Sequence, residues 1–266
     1  MISVIMPAYN EEKALPKTLR ALFSQLGDFE VILVDGGSTD RTGTIAASFG
    51  FTDGACASGC SSLASRHSHD IALFDKLNGP STFEGQDTFH VSRLTFHAPK
   101  GRASQMNTGA QQAKGEWLLF LHADTVLPHG AIRRLNEMED DQTVQAGGFM
   151  HQFSGDDWRL RFISFLDNFR CTRSRIIYGD QALFVRRTLF QELGGFPDQP
   201  ILEDVAFCER LIKVTNPLLL HPPVVTDARK FVKMGIWRSF VRVLLIILHV
   251  EYRLPVLPRM FFQDVR

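Results

Sequence analysis

Short apolar runs alternate with helix-spaced segments, and this alternation constrains the fold more than any other feature. Residues 3–6 form an apolar run that ends at a proline, and residues 31–34 form a second run. Residues 11–26 between them carry leucines at helical spacing, and residues 40–49 predict another helix. Strand, helix, strand and helix joined by short links make β-α-β units. We therefore predict an α/β fold whose sheet is mostly parallel and lies between helices.

The alternation stops over residues 52–90, which we interpret as an insertion that is loop or partly disordered. Ser38 or Thr39 is the predicted cap of the second helix. Later strands are predicted at 91–96, 117–121, 145–153 and 182–185, and later helices at 102–114, 128–138, 158–169, 203–214 and 230–250. With no repeat and no linker-like boundary, residues 1–266 are predicted to form one domain with a C-terminal helical region at 230–266.

Charge and length exclude several classes of protein. Lysine plus arginine and aspartate plus glutamate both number 29, so the chain lacks the basic excess of a nucleic-acid-binding protein. Four cysteines in 266 residues do not make a disulfide scaffold. The N-terminus has no basic region before its apolar run, and no apolar run approaches the ~20 residues that span a bilayer. We expect a cytoplasmic protein.

Three polar segments follow predicted strands, at 7–11, 35–40 and 122–125. Ligands of open α/β sheets bind beyond the carboxyl ends of the strands, so these segments mark the candidate site. The chain has no phosphate-binding G-x-x-x-x-G-K-[ST] loop, no G-x-G-x-x-G after the first strand, no G-x-S-x-G and no H-E-x-x-H. What remains are acids at strand ends and a Glu203-Asp204 pair at a helix start.

The order of the motifs resembles that of the family 2 glycosyltransferases, which are inverting enzymes with the GT-A fold. The motifs are IMPAYNEE at 5–12, VDGGSTD at 34–40, KGRASQMNTGA at 100–110, FLHADT at 120–125, GDQALFVRR at 179–187, LGGFP at 193–197 and LED at 202–204. The chain looks closest to a bacterial "transferase 2" subgroup that is found beside radical-SAM and selenium-related genes. The resemblance covers almost the whole chain outside the insertion.

The resemblance implies a site for the donor, a nucleotide-sugar. It assigns the base, the ribose and the diphosphate to Pro7, Ala8, Tyr9, Glu11, Asp35, Arg102, Asn107, His122 and Ala123. Asp35 would accept from a uracil-type imide N–H, and Arg102 would fork onto the diphosphate. Gly36 departs from the family pattern, because many relatives have a second acid there. The alternative for residues 35–40 is a plain turn with a helix cap.

A divalent cation, Mg²⁺ or Mn²⁺, would stabilise the leaving diphosphate as a Lewis acid. The family's Asp-x-Asp stretch reads His122-Ala123-Asp124 here, so the resemblance makes Asp124 the metal carboxylate. His122 would approach the ribose or the outer shell of the metal, and an imidazole favours Mn²⁺. The alternative for His122 is a packing residue.

The resemblance places the general base at Asp204, with Glu203 orienting it or contacting the acceptor. Asp180 and Gln181 would form the wall around the acceptor or the donor sugar, and Arg229 would reach the diphosphate. The alternative for the Glu203-Asp204 pair is that both acids merely complement a helix N-terminus.

The favoured function is metal-dependent, inverting sugar transfer of the hexosyltransferase type, from a UDP- or GDP-sugar to an unidentified acceptor, lipid or carotenoid-like. One alternative is a catalytically impaired nucleotide-binding module, suggested by Gly36 and His122. Another is a sugar nucleotidyltransferase, which would need a Gly-rich loop where residues 8–11 lie.

Two segments leave further alternatives open. Cysteines and histidines at 56, 60, 67 and 69 have the composition of a zinc site but poor spacing, so a flexible insertion is the competing interpretation. Residues 230–266 combine arginines with aromatic and aliphatic side chains. They suit either packing on the core or peripheral contact with the inner face of a membrane.

Overall fold

A single mixed sheet forms the centre of the molecule. The computed structural model describes residues 1–54, 91–199 and 201–250, and the insertion and possible zinc residues lie outside that part. Within it the strands are β1 Ile2–Ala8, β2 Phe29–Asp35, β3 Thr52–Asp53, β4 Arg93–His97, β5 Trp117–Phe120, β6 Thr125–Val126, β7 Ala146–Phe153, β8 Phe184–Arg186 and β9 Leu218–Thr226.

Helices cover the sheet. They are α1 Leu15–Phe23, α2 Thr42–Ser48, α3 Arg102–Gln112, α4 Ala131–Glu137, α5 Trp158–Ser174, α6 Arg187–Glu192, α7 Glu203–Leu211, α8 Arg229–Lys233 and α9 Ile236–Val250. A 3₁₀ turn at Gly179–Gln181 precedes β8. None of the helices in the described ranges is both long enough and apolar enough to cross a bilayer.

The strand order is β3-β4-β2-β1-β5-β8-β7-β9-β6. The five strands from β3 to β5 are mutually parallel. Strand β8 runs antiparallel to β5 and β7, while β9 runs parallel to β7 and antiparallel to β6. The prediction of an α/β fold with a mostly parallel sheet between helices is confirmed, and the parallel half brings the ends of β1, β2 and β5 to one edge.

Apolar layers on both faces hold the sheet. Val4 and Met6 pack with α1 on one face, whereas Ile5 packs with α3 on the other. All are fully buried, and each such side chain contributes about 1.5–3 kcal/mol. A Cβ atom on Gly109 of α3 would lie 2.4 Å from Ile5 Cγ2, so glycine lets α3 approach β1 closely.

The structure corrects several predicted elements. The helix predicted at 230–250 is two helices, because Gly235 adopts a φ of +90° between α8 and α9. The helix predicted from 128 starts at Ala131, after Gly130 with a φ of +77°. Asp40 takes the role predicted for Ser38 or Thr39, since its Oδ1 accepts from the Thr42 backbone N–H at 2.9 Å. Strand β9 was not predicted, because two prolines interrupt its apolar pattern.

Candidate active site

The floor of the candidate site is the carboxyl end of β2. Asp35 accepts hydrogen bonds from the Ser38 backbone N–H at 3.1 Å and from Ser38 Oγ at 2.5 Å, and it lies 3.7 Å from His97 Nδ1. Burial alone would raise the pKa of Asp35, but the nearby His97 and the Ser38 donors lower it below its ordinary value. The same contact with Asp35 raises the pKa of His97. Asp35 is therefore a carboxylate ready to accept a further N–H.

Gln105 is a site residue that sequence reasoning missed. Its amide nitrogen donates to the Ala8 and Val34 carbonyls, both at 2.8 Å, and so joins the ends of β1 and β2. A Cβ atom on Gly36 would lie only 3.0 Å from that amide. Glycine at position 36 therefore has a local reason: Gln105 occupies the adjoining space.

The segment after β1 is tied to the segment after β2. Asn10, with a φ of +55°, donates its backbone N–H to Ser38 Oγ at 2.9 Å and accepts from the Thr39 N–H at 2.8 Å. Beside it, Lys100 Nζ lies over the Tyr9 ring, 4.0 Å from the ring centroid, in a cation–π contact. The segment that contains the residues predicted to hold the base and ribose is therefore fixed in position by the segment after β2.

A lysine joins two acids at this edge of the sheet. Lys230 Nζ lies 2.8 Å from Glu11 Oε1 and 3.3 Å from Asp124 Oδ2. Burial raises the pKa of Glu11, although the Lys230 charge opposes this shift. Arg229, predicted to reach the diphosphate, instead pairs with Asp227 at 2.6 Å. The structure thus brings the neighbouring lysine, not Arg229, to the acids.

His122 lies just after β5 and is half-buried. Its Nε2 atom is buried and has no hydrogen-bond partner among the residues described. Burial, assisted by the charge of Arg102, lowers the pKa of His122 to about 4, so its imidazole is neutral. A Cβ atom on Gly179 would lie 2.7 Å from this nitrogen and 3.3 Å from Asp204 Oδ2. Glycine at 179 therefore allows His122 and Asp204 to lie side by side.

The two acids at the start of α7 are buried and have different partners. Asp204 Oδ2 accepts from the Gly179 N–H at 2.7 Å, and its Oδ1 accepts from the Val205 N–H at 2.8 Å. Glu203 instead lies 3.0 Å from Arg102 Nε. Burial raises the pKa of Glu203, and Arg102 opposes the rise. Arg102 therefore forms an ion pair with Glu203, and the Glu203 carboxylate faces Arg102 rather than orienting Asp204.

Of three other residues that were predicted to bind ligands, two instead hold parts of the backbone in place. Gln181 is fully buried and bonds to the backbone of Tyr178, so it supports the 3₁₀ turn and does not line a wall. Asn107 uses both atoms of its amide on the Phe196 backbone, at 2.8 and 3.0 Å. Asp180 is one third exposed, and burial raises its pKa. Of these three, Asp180 is the one placed to contact a ligand.

The donor set suits a divalent cation that is shared with a ligand. In the described ranges no three His, Cys, Asp or Glu side chains are grouped to hold a metal. Asp124 offers a carboxylate, and His122 has a neutral ring whose Nε2 finds no hydrogen-bond partner in the described part of the chain. Mg²⁺ and Mn²⁺ commonly take one or two protein ligands and complete their shell with water and phosphate oxygens. These residues therefore fit a metal held jointly with a diphosphate.

Comparison with known proteins places this geometry in a family. The family model described as "Glycosyl transferase family 2" matches residues 3–54 and 84–194. A PGL/p-HBAD biosynthesis glycosyltransferase of Mycobacterium bovis (strain BCG / Pasteur 1173P2) is 28% identical over 208 residues, which is 74% of this chain and 63% of that protein. An undecaprenyl-phosphate 4-deoxy-4-formamido-L-arabinose transferase of Pseudomonas aeruginosa (strain LESB58) is 25% identical over 201 residues, covering 73% and 49%. The chain spans about half to two thirds of these relatives.

Solved structures share the fold. The mannosyltransferase PcManGT from Pyrobaculum calidifontis, in complex with GDP-Man and Mn²⁺, matches with a TM-score of 0.59 and 20% identity over 98% of this chain and 67% of its own. S. aureus TarS 1-349, in complex with UDP-GlcNAc, matches with a TM-score of 0.55 and 18% identity over 94% and 66%. The expected GT-A fold is confirmed.

Proposed function

The chain belongs to glycosyl transferase family 2, and we propose that it transfers a sugar from a nucleotide-sugar to an acceptor with inversion at the anomeric carbon. The observation that carries the proposal is the gathering of acids at one edge of the sheet, where Glu11 follows β1, Asp35 ends β2, Asp124 follows β5 and Asp204 lies in the first turn of α7. Each follows a parallel strand or begins a helix there, as ligand-binding residues of open α/β sheets do.

We propose a UDP- or GDP-sugar as the donor. Pro7, Ala8, Tyr9 and Glu11 would hold the base and ribose, and Asp35 would accept from the base. The complexes of PcManGT with GDP-Man and of TarS with UDP-GlcNAc support a donor of this class. Asp124 would hold Mg²⁺ or Mn²⁺ against the diphosphate, with the neutral His122 near the outer shell of the metal, and the bound ion would supply Lewis-acid stabilisation of the leaving group.

Asp204 is the proposed general base. Its oxygens accept hydrogen bonds from the Gly179 and Val205 backbone N–H groups, which fix the position of the carboxyl group in a residue that is only 6% exposed. As the acceptor oxygen bonds to the anomeric carbon, its proton passes to Asp204 and the bond to the diphosphate breaks on the opposite face. Arg102 holds Glu203, and Asp180 would form part of the wall around the acceptor or the donor sugar.

Lys230 contributes a charge next to the proposed metal site. Its ammonium lies between Glu11 and Asp124 and can reach a diphosphate from there. This is the part the resemblance assigned to Arg229. We propose that Lys230 performs it, because its ammonium lies beside Asp124, the proposed metal carboxylate, whereas Arg229 lies against Asp227.

We propose a lipid or carotenoid-like acceptor, encountered at the inner face of a membrane by a cytoplasmic protein. The name of the Pseudomonas relative, which contains undecaprenyl-phosphate, supports an acceptor of lipid character for that protein and by analogy here. Within the family we place the chain in the "transferase 2" subgroup associated with radical-SAM and selenium-related genes, on the motif resemblance alone.

Thermal unfolding against UDP-, GDP-, dTDP- and CMP-sugars, each with Mn²⁺, Mg²⁺ or EDTA, tests the donor site. A ligand at a hundredfold excess over its Kd stabilises the native state by about 2.7 kcal/mol. We expect one nucleotide class to raise the midpoint, and only with metal. Asp124→Ala should abolish the metal-dependent part. No shift with any nucleotide would refute the donor site and favour the impaired module.

Asp204→Asn tests the base. The variant should still bind the donor but lose transfer, whereas Asp198→Asn, which removes an exposed acid of the preceding loop, should be unaffected. Transfer at the wild-type rate by Asp204→Asn would remove Asp204 from the mechanism.

A further inference from the structure

Helix α5 presents aromatic side chains to solvent. Trp158, Phe165 and Phe169 are each about two thirds exposed, and Phe162 is also exposed. Their spacing of four, three and four residues puts them on one face of the helix. The opposite face carries Leu160 and Ile163, which pack in the small core with α8 and α9. The outward face of α5 is therefore apolar, although it lies on the surface.

This face continues onto α9. The rings of Trp158 and Trp237 meet edge to face at 6.2 Å, and Leu244, two turns further along α9, is exposed as well. We call the set the aromatic face, and it consists of Trp158, Phe162, Phe165, Phe169, Trp237 and Leu244. Exposed apolar patches that continue across neighbouring elements mark interaction sites.

Positive charge predominates in the segments that carry the aromatic face. Residues 156–175 and 227–250 contain ten of the 29 lysines and arginines of the chain and four of its 29 acids, each of which pairs with an arginine of the same segments. At the junction of α8 and α9 a cleft of about 240 Å³ is lined by Lys233, Arg238, Arg242 and Ser239. A neutral chain thus concentrates cations where it exposes aromatic rings.

We propose that the aromatic face docks on an anionic lipid bilayer, with its rings at the headgroup level and lipid phosphates in the basic cleft. Tryptophan and phenylalanine on one side and lysine and arginine on the other are the side chains of helices that lie in a membrane interface. Each lysine or arginine near an anionic surface adds to the attraction. A second copy of this chain would bring the same cations together, so charge disfavours self-association.

Docking would also orient the candidate active site. Lys230 contacts Glu11 and Asp124 from α8, and the exposed Met234, just after the same helix, lines the basic cleft. The mouth of the site is thereby linked through one short helix to the docking surface. The step from docking to a membrane-embedded acceptor rests on the proposed function, whereas docking itself does not.

Vesicle co-sedimentation of the full chain tests the proposal. We expect binding to phosphatidylcholine vesicles that contain phosphatidylglycerol, with much weaker binding to phosphatidylcholine alone and weakening by salt. Phe165→Ser/Phe169→Ser should lower the partition coefficient by roughly tenfold or more, and Lys233→Glu/Arg238→Glu should remove the preference for anionic lipid. Leu26→Ser/Val214→Ser and Lys114→Glu/Lys213→Glu make matched changes at exposed positions elsewhere and should bind like wild type.

Tryptophan quenching by brominated lipids locates the contact. Wild type should be quenched, whereas Trp158→Phe/Trp237→Phe, which leaves only the buried Trp117, should not. Equal vesicle binding by the Phe165/Phe169 variant and wild type would overturn the proposal. The proposal would also be overturned if sedimentation velocity showed a wild-type dimer that is lost in this variant, because the aromatic face would then bind a second copy of the chain. Nucleotide-induced thermal shifts in the same variants report on the donor site separately, so failure of docking and failure of the proposed function are distinguishable.

Discussion

Replacing Arg102 with leucine tests whether this arginine anchors a buried acid. In the structure its guanidinium lies 3.0 Å from Glu203, whose side chain is 2% exposed, while the arginine itself is half exposed. Burial already raises the pKa of Glu203, and Arg102 is the charge that opposes the shift. Arg102→Leu removes that charge and leaves the carboxyl group without a cation partner in the described part of the chain.

The magnitude follows from proton uptake. A buried charge left unpaired costs about 3–5 kcal/mol, but a carboxyl group can bind a proton instead. Holding Glu203 protonated at pH 7 costs about 1.36 kcal/mol for each pH unit above an unfolded pKa of about 4.3, or about 3.7 kcal/mol. Wild type already bears part of this cost, so we expect Arg102→Leu to lower the free energy of unfolding by about 2–3 kcal/mol at pH 7. At pH 5 the ceiling falls to about 1 kcal/mol.

Urea unfolding at pH 7.5, 6 and 5 measures the effect. The folded-state pKa of Glu203 lies above its unfolded value, so the destabilisation should grow as the pH rises and disappear toward the unfolded pKa. Arg102→Leu/Glu203→Gln should recover most of the loss, because it removes the buried charge. Arg41→Leu breaks an exposed pair with Glu12 and should cost less than about 1 kcal/mol at every pH. A loss of equal size at pH 7.5 and pH 5 would refute the reasoning.

Three further predictions follow from other contacts. The raised pKa of His97 means that its pair with Asp35 stabilises the fold below about pH 6.5 and stops doing so as the pH rises through the folded pKa. In urea titrations His97→Gln should therefore lower the free energy of unfolding by a few tenths of a kcal/mol at pH 6 and leave it unchanged at pH 9. An equal loss at both pH values would contradict this. Gly179→Ala adds a Cβ 2.7 Å from the His122 ring and should cost about 1–3 kcal/mol in thermal unfolding and abolish transfer; wild-type transfer would show that the ring moves freely. Cys208 is buried and its thiol pKa is raised, so iodoacetamide at pH 8 should label it only after unfolding, and native labelling seen by mass spectrometry would contradict that burial.

The β-α-β half of the fold was predictable because its signals are local. Strands β1 and β2 are buried on both faces and read as unbroken apolar runs, and α1 shows its period between them. Strand β9 lies beyond β7 near the sheet edge, where prolines are tolerated, so its apolar pattern is interrupted and it escaped prediction. The division of α8 from α9 depends on one positive φ at Gly235, and periodicity does not reveal a single dihedral angle.

The candidate site divides in the same way. Asp35, Asp124 and Asp204 were identifiable because each stands at the end of a strand or the start of a helix, and parallel strands bring such ends to one edge. Tertiary packing decided their partners. Lys230 reaches Glu11, 219 positions away, and Gln105 fills the space beside Gly36, 97 positions from the Ala8 carbonyl that it binds.

The aromatic face makes the distinction sharpest. Periodicity predicted that α5 has an apolar side, and an apolar side is expected to face the core. Helix α5 has two apolar sides, and which of them is buried depends on what else packs against the helix. Leu160 and Ile163 pack against α8 and α9, whereas the aromatic rings face outward. Residue order therefore determined the elements and the edge where the acids gather, because hydrophobic period and strand termination act over a few residues. Only the tertiary structure decided which charges pair and which apolar side stays exposed, because those contacts join segments that are distant in the chain.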